Sequence, residues 1–423
     1  MNSVREQVLH AVDEAWPQQL NHLQALVRER SVLGHEAGVQ RLMHATFRDM
    51  GLQVTSFEPD LGTISRLPGF SPPEWSYRGR PNVVGVWRAG ASGGRSLVLN
   101  GHVDVVSPEP VGQWSHDPWG AEIHGDWLYG RGACDMKSGV TAMVWALRAV
   151  QAAGVRLKGD VILHSVIEEE CTGNGTLACL ARGFGGDGCL IAEPHYRQAL
   201  IAQVGVLWCR VKVRGVAGHV KGANRAINAI EKTYVLIRAM RELEDRLNRE
   251  KHRAYADHPW PINFNPGVIR SGDWPSTVPA ECELEFRMGF YPGTTIEAAK
   301  TLVRTHLLDA AARDPWLRDN PPDITFYGFH AEGSCEDFAE SPVIQTLDAV
   351  HRELIGCGLT PESGSATTDT RFFHLYYGTP AVCFGPWGAG AHGTDEYVEL
   401  HTVREVTRVI AAFVLDWCGI ARP

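Results

Sequence analysis

Four short runs of aliphatic and β-branched residues, each bounded by Gly, Pro, Asp or Glu, constrain this chain most. They are Asn82–Trp87, Ser96–Asn100, Asp160–Ile167 and Gly188–Ala192. Each is too short for a buried helix and reads as a strand. Between and around them, apolar residues recur at helical spacing over Val4–Val27, over Val39–Met50 with Gly51 as a stop, over Ser138–Ala153 and over Thr176–Arg182. Strands alternating with helices predict an α/β fold with a mixed, mainly parallel sheet flanked by helices.

From about Val204 the texture changes. Val206–Arg214 and Ala280–Tyr291 alternate like half-exposed strands, Ala223–Asn248 reads as one long helix, and Ile324–Gly328 adds a strand. After Glu332 the first pattern returns, with a helix over Pro342–Ile355, a strand over Pro380–Phe384 and a helix over Val403–Trp417. The chain has 423 residues, more than the roughly 250 to 300 at which one core stops growing. We therefore expect a main domain in two parts, 1–204 and 331–423, interrupted by a smaller α+β unit at 205–330. No internal repeat is evident.

Composition narrows the function. A formal charge of −9 without any Lys/Arg block argues against nucleic acid and membrane surfaces as partners and favours a small molecule. The N-terminus mixes Arg5, Glu6, Asp13 and Glu14 into its apolar positions, unlike a signal peptide. No stretch approaches the ~20 apolar residues of a membrane span. Ten cysteines scatter from Cys134 to Cys418 without a CxxC pair, which predicts reduced, mostly buried thiols in a cytoplasmic protein.

Residues able to carry chemistry stand just beyond the predicted strands, where ligands bind in α/β sheets. Gly101-His102-Val103-Asp104 follows one strand; a carboxylate two residues after a histidine can accept its second ring N–H and fix the tautomer. Asp135 lies in a glycine-rich turn, Tyr129-Gly-Arg-Gly-Ala-Cys-Asp135-Met-Lys-Ser-Gly139, that could equally serve as a helix cap. Glu168-Glu169-Glu170 follows the apolar strand ending at Ile167. Three adjacent acids repel one another unless a cation separates their roles, one as ligand and one as base. Glu193 follows Ala192, and His392 lies in Gly388-Ala-Gly-Ala-His392-Gly-Thr-Asp-Glu396. Each signal is weak alone. Together His102, Asp135, Glu170, Glu193 and His392 form an oxygen/nitrogen set suited to metal ions.

In this order, the segments resemble those of the metallohydrolase family that contains acetylornithine deacetylase, succinyl-diaminopimelate desuccinylase, aminoacylase and glutamate carboxypeptidase. The resemblance runs from Gly101 to His392 and implies a zinc-peptidase-like catalytic domain with an inserted dimerisation domain. It implies two divalent ions, zinc or alternatively cobalt or manganese, with Asp135 bridging. His102 and Glu193 would hold one ion, and Glu170 and His392 the other. Asp104 would orient His102, and Glu169 would act as general base. Gly215-Val-Ala-Gly-His219 is similar to a motif whose histidine reaches a neighbouring active site across a homodimer and polarises the substrate carbonyl. The implied reaction is hydrolysis of an N-acyl amide or peptide-like bond in a small N-acylated substrate.

One stretch departs from the family pattern. Members that bind an α-carboxylate show an Asn before Val-Pro and an Asp-x-Arg before Pro-Gly. Here Ser276 replaces the Asn, Arg287 stands in the Asp position and Gly289 in the Arg position. Residues two apart on a strand share a face, so Arg287 is the candidate substrate anchor. The alternatives are a deformylase-like enzyme acting on a carboxylate-free N-formyl amine, and a metal-dependent binding protein without catalysis. Retention of Glu169 beside Glu170 speaks against the second. The turn Thr367-Thr368-Asp369-Thr-Arg371 resembles a pocket-lining turn of the family.

Overall fold

The computed structural model describes residues 2–421. Its central element is a six-stranded sheet in the order Gln53–Phe57, Asn82–Trp87, Val161–Val166, Leu97–His102, Cys189–Ile191 and Ala381–Cys383. The last four run parallel to one another, and the first two form an antiparallel edge. The predicted mixed, mainly parallel sheet is therefore present. Alternation along Leu97–His102 sorts its two faces. Gly101 meets Val140, Met136 and Met143 from the segment around helix Ser138–Ala152, whereas Asn100 on the other face donates to Thr176 of helix Asn174–Ala181.

The inserted unit carries its own antiparallel sheet, in the order Phe264–Ser271, Glu281–Phe290, Gly205–Arg214 and Asp323–Ala331. Cys209, Val211 and Val213 are buried in a core with Leu236 and Met240 of helix Ala229–Arg249 and Val303 and Leu307 of helix Ile296–Arg313. This core is separate from the one around the large sheet. The opposite face of the small sheet turns Trp208, Arg287 and Tyr327 toward a cleft that Glu169, Glu170 and His392 also line.

Several elements differ from expectation. The helical stretch over Val4–Val27 is two helices, Asn2–Glu14 and Trp16–Arg28, with Pro17 in the first turn of the second, where its missing N–H costs nothing. The long helix starts at Ala229, not Ala223, because Asn228 caps it by accepting from the Ile230 N–H. Helix Ile296–Arg313 and edge strand Phe264–Ser271 were not anticipated. All ten cysteines are free thiols, with Cys335 and Cys357 exposed. No helix among the described residues is long and apolar enough to cross a membrane.

Close packing joins the first helix of the large sheet to the strand end beside it. A Cβ at Gly139 would lie 1.8 Å from the Ala192 carbonyl oxygen, a backbone atom that cannot swing aside. Gly139→Ala gains about 1 kcal/mol of helix propensity but forces the helix off the strand, so we expect a net loss of about 2 kcal/mol. Urea unfolding checks this through its midpoint.

Candidate metal centre and cleft

His102 is the last residue of its strand and is only 1% exposed. Its Nδ1 donates to the carbonyl oxygen of Asp104 at 2.9 Å, which leaves Nε2 free to face the cleft. The Asp104 carboxylate, expected to make that contact, lies 3.7 Å from Nδ1. It accepts instead from the backbone N–H groups of Glu170 at 3.1 Å and Glu169 at 3.4 Å. Asp104 thus orients His102 through its main chain and holds the acidic loop through its side chain. Burial pushes its carboxyl up to about 7.

Asp135 projects from a turn whose glycines adopt positive φ, +151° at Gly130 and +80° at Gly132. The peptide after Asp135 is cis. The turn is fastened by a buried acid, Glu396, that the sequence reading did not single out. Its carboxylate accepts from the N–H groups of Gly132, Cys134 and Asp135 at 2.9–3.0 Å and from Arg131 at 2.6 Å. Because Glu396 lies four residues after His392, one carboxylate ties two ligand-bearing segments together.

A second buried hub sorts the three consecutive glutamates. Glu168 has a φ of +75°, and its carboxylate turns away from the cleft. There it accepts from Trp75, Tyr77 and Thr172 at 2.9–3.1 Å and from Arg80, which also pairs with buried Glu36. Glu169 and Glu170 are thereby left facing the cleft. Glu168 enters the sequence reading only as one of three adjacent acids, and Arg80 and Glu36 not at all, since what ties them together comes from distant segments.

The predicted ligands converge. His102 Nε2 lies 3.1 Å from Asp135 Oδ1 and 3.6 Å from Glu193 Oε1. His392 Nε2 lies 3.5 Å from Asp135 Oδ2 and 3.0 Å from Glu170 Oε2. Each oxygen of Asp135 therefore faces a different histidine. Candidate ligand atoms of His102, Asp135 and Glu170 lie within 4.8 Å of one another, as do those of His102, Glu169 and Glu193.

The charges are out of balance without a cation. Burial, then the nearby charge of Asp369, raises the Glu169 carboxyl well above its usual range. Burial and then Asp135 do the same to Glu193. Burial opposes ionisation of Asp135 too, but hydrogen bonds with His102 and His392 hold it far below the normal range. The Glu170 charge pushes His392 up to about 11. Glu169 Oε1 is buried with no hydrogen-bond partner among the described residues. Two imidazoles, a two-faced carboxylate and three further acids are a donor set that fits zinc-class ions.

This cluster floors a cleft of about 480 Å³ between the two sheets. Glu169, Glu170 and His392 line it on one side, and Trp208, Tyr327, Phe329 and Arg287 on the other. Arg287 donates to the Ser365 carbonyl at 3.3 Å and has no carboxylate partner among the described residues; burial lowers its pKa. His219 is exposed, accepts from the Lys221 N–H at 3.0 Å, and is not among the cleft-lining residues of its own chain. Thr368 bonds with Gln203 and Thr370. Buried Asp369 lies 3.3 Å from Arg371, whose guanidinium donates to the carbonyls of Thr368 and Thr172.

The chain is similar to known proteins over most of its length. The model of peptidase family M20/M25/M40 matches residues 98–416. An N-formyl-4-amino-5-aminomethyl-2-methylpyrimidine deformylase from Halalkalibacterium halodurans is 30% identical, over 82% of this chain and 85% of its own. One of the same name from Bacillus subtilis is 31% identical, over 85% and 88%. A succinyl-diaminopimelate desuccinylase from Thioalkalivibrio sulfidiphilus is 28% identical, over 92% and 96%. Among solved structures, a di-peptidase from Saccharomyces cerevisiae has a TM-score of 0.80 at 13% identity, covering 99% of both chains. Human carnosine dipeptidase 1 has a TM-score of 0.75 at 16% identity, covering 98% of this chain and 99% of its own. The chain belongs to peptidase family M20/M25/M40 and is a metal-dependent hydrolase of amide bonds.

Proposed function

We propose that this enzyme hydrolyses the N-acyl bond of a small amine, with a formyl or other short acyl group and a flat ring on the amine side. The observation that carries the hydrolytic reading is Asp135, which presents one oxygen to His102 and the other to His392. Two sites follow: His102, Glu193 and one oxygen of Asp135; and His392, Glu170 and the other oxygen. Two ions held this way, zinc by preference, would supply a water of lowered pKa and polarise the scissile carbonyl.

The chain's own residues do the rest. Glu169 stands beside both groups with one oxygen uncommitted, placed to take a proton from water and return it to the leaving amine. Two neighbouring cations would bring its raised pKa down toward the working range that both transfers need. Trp208, Tyr327 and Phe329 give the opposite wall an aromatic surface on which a planar leaving group can stack. The names of the two deformylases support this choice. Arg287 favours a second reading, an amino-acid amide whose α-carboxylate would neutralise an otherwise unpaired guanidinium.

The deciding experiment is turnover by zinc-loaded and chelated enzyme of N-formyl and N-acetyl aromatic amines beside N-acyl amino acids. We expect chelator-sensitive turnover of the ring amides, with Glu169→Gln keeping its metal and losing about 10²–10⁴-fold in kcat. Turnover confined to α-carboxylates selects the Arg287 reading, and full activity in Glu169→Gln removes the proton-transfer role.

Protons and ions compete for the same atoms. In the cation-free cluster His102, His392 and Glu193 all have raised pKa values, so protons compete with ions for these ligand atoms. Zinc uptake by stripped protein should release protons and weaken as pH falls. Calorimetry in buffers of different ionisation enthalpy checks this; heats independent of the buffer would contradict it.

We further infer a homodimer in which His219 serves the partner's cleft and helps stabilise the developing oxyanion. Val220, Ile269 and Trp274 are 53%, 52% and 68% exposed, an apolar surface on the inserted unit. Ten free thiols fit a cytoplasmic location. Sedimentation should give a dimer, and a stable monomer that turns over substrate would refute this role for His219.

A further inference from the structure

A second set of metal-ligand side chains lies outside the cleft. Glu122 and His124 alternate on the short strand Glu122–His124, so their side chains share one face. His116 reaches the same point from the preceding loop. His116 Nδ1 lies 3.1 Å, and His124 Nε2 3.2 Å, from the same oxygen, Glu122 Oε2. The candidate ligand atoms all lie within 4.8 Å of one another. With Zn–N and Zn–O bonds of about 2.0–2.1 Å, a tetrahedral ion separates its ligand atoms by roughly 3.3 Å. The two spacings to Glu122 Oε2 are within a few tenths of an ångström of that value.

The set is also preorganised. The His116 ring stacks on Tyr129, with centroids 4.0 Å apart and planes 27° from parallel. Its backbone N–H and that of Ser115 donate to Asp395 at 3.2 and 2.8 Å. The residue contributing most of the geometry is therefore already fixed, which reduces the entropy lost when an ion binds. None of the three side chains lines the cleft.

We propose that His116, Glu122 and His124 form an additional site for one zinc-class cation, open to solvent at its fourth position. It shares no ligand with the cleft. Asp395 links it to the loop of His392, three residues earlier, so occupancy braces the turn from which that ligand projects.

The test counts metal. Wild type, His124→Ala and Glu122→Gln are stripped with chelator and dialysed against buffered zinc, and bound zinc is measured by mass spectrometry. Wild type should hold one equivalent more than either variant, and excess zinc should raise its Tm further than theirs. Both variants should retain hydrolytic activity. Equal zinc in all three proteins overturns the proposal. A cleft with one ion instead of two would lower all three totals alike, so failure of the cleft assignment reads differently from failure of this site.

Discussion

Mutual repulsion among buried carboxylates is the constraint on which the rest of this structure depends. Asp135, Glu169, Glu170 and Glu193, buried or nearly so, face one small volume where water screens them poorly. A chain left to itself would protonate such acids or turn them outward. Here three adjacent parallel strands end side by side, so the acids and His102 arrive on fixed backbone and cannot retreat. Cations are the counter-charge that such a group of oxygens calls for.

Further out, two more buried acids hold the inner ones in place. Glu168 uses Arg80, Trp75 and Tyr77 to keep its side chain on the far side of the loop. Glu396 gathers three amides of the Asp135 turn. Both are satisfied by hydrogen bonds from several segments, and removing either would strand a buried donor or cation, a cost of several kcal/mol. Asp104 works in the same way on the amides of Glu169 and Glu170. The ligands thus rest on an outer ring of carboxylates whose partners are mainly N–H groups and two arginines, Arg80 and Arg131, not metal ions.

The alternation of strand and helix, and the acids just past each strand, were legible in the sequence because both are local patterns. The convergence of His102, Asp135, Glu170, Glu193 and His392 was legible for the same reason: each occupies a strand end or the loop beyond it. Glu396, Glu168 and Arg80 were not, because what makes them important is a partner tens or hundreds of residues away. The contact from Asp104 to His102 was assigned to the wrong group, since HxD spacing does not say whether carbonyl or carboxylate meets the ring. Phe264–Ser271 was hidden by Pro266 and Gly267, residues tolerated at a sheet edge but uncharacteristic of a strand interior. His116, Glu122 and His124 showed no signal, because only the strand Glu122–His124 and the loop before it bring them to one point.

The two walls of the cleft rest on separate hydrophobic cores, and this bears on how such an enzyme changes over evolutionary time. Substitutions at Trp208 or Tyr327 alter packing in the small sheet, away from the strands that carry His102 and Glu193. The reacting end can stay invariant while the recognising end drifts. Selection on substrate choice and selection on chemistry therefore act on nearly independent sets of positions, so a new preference need not pass through an inactive ancestor.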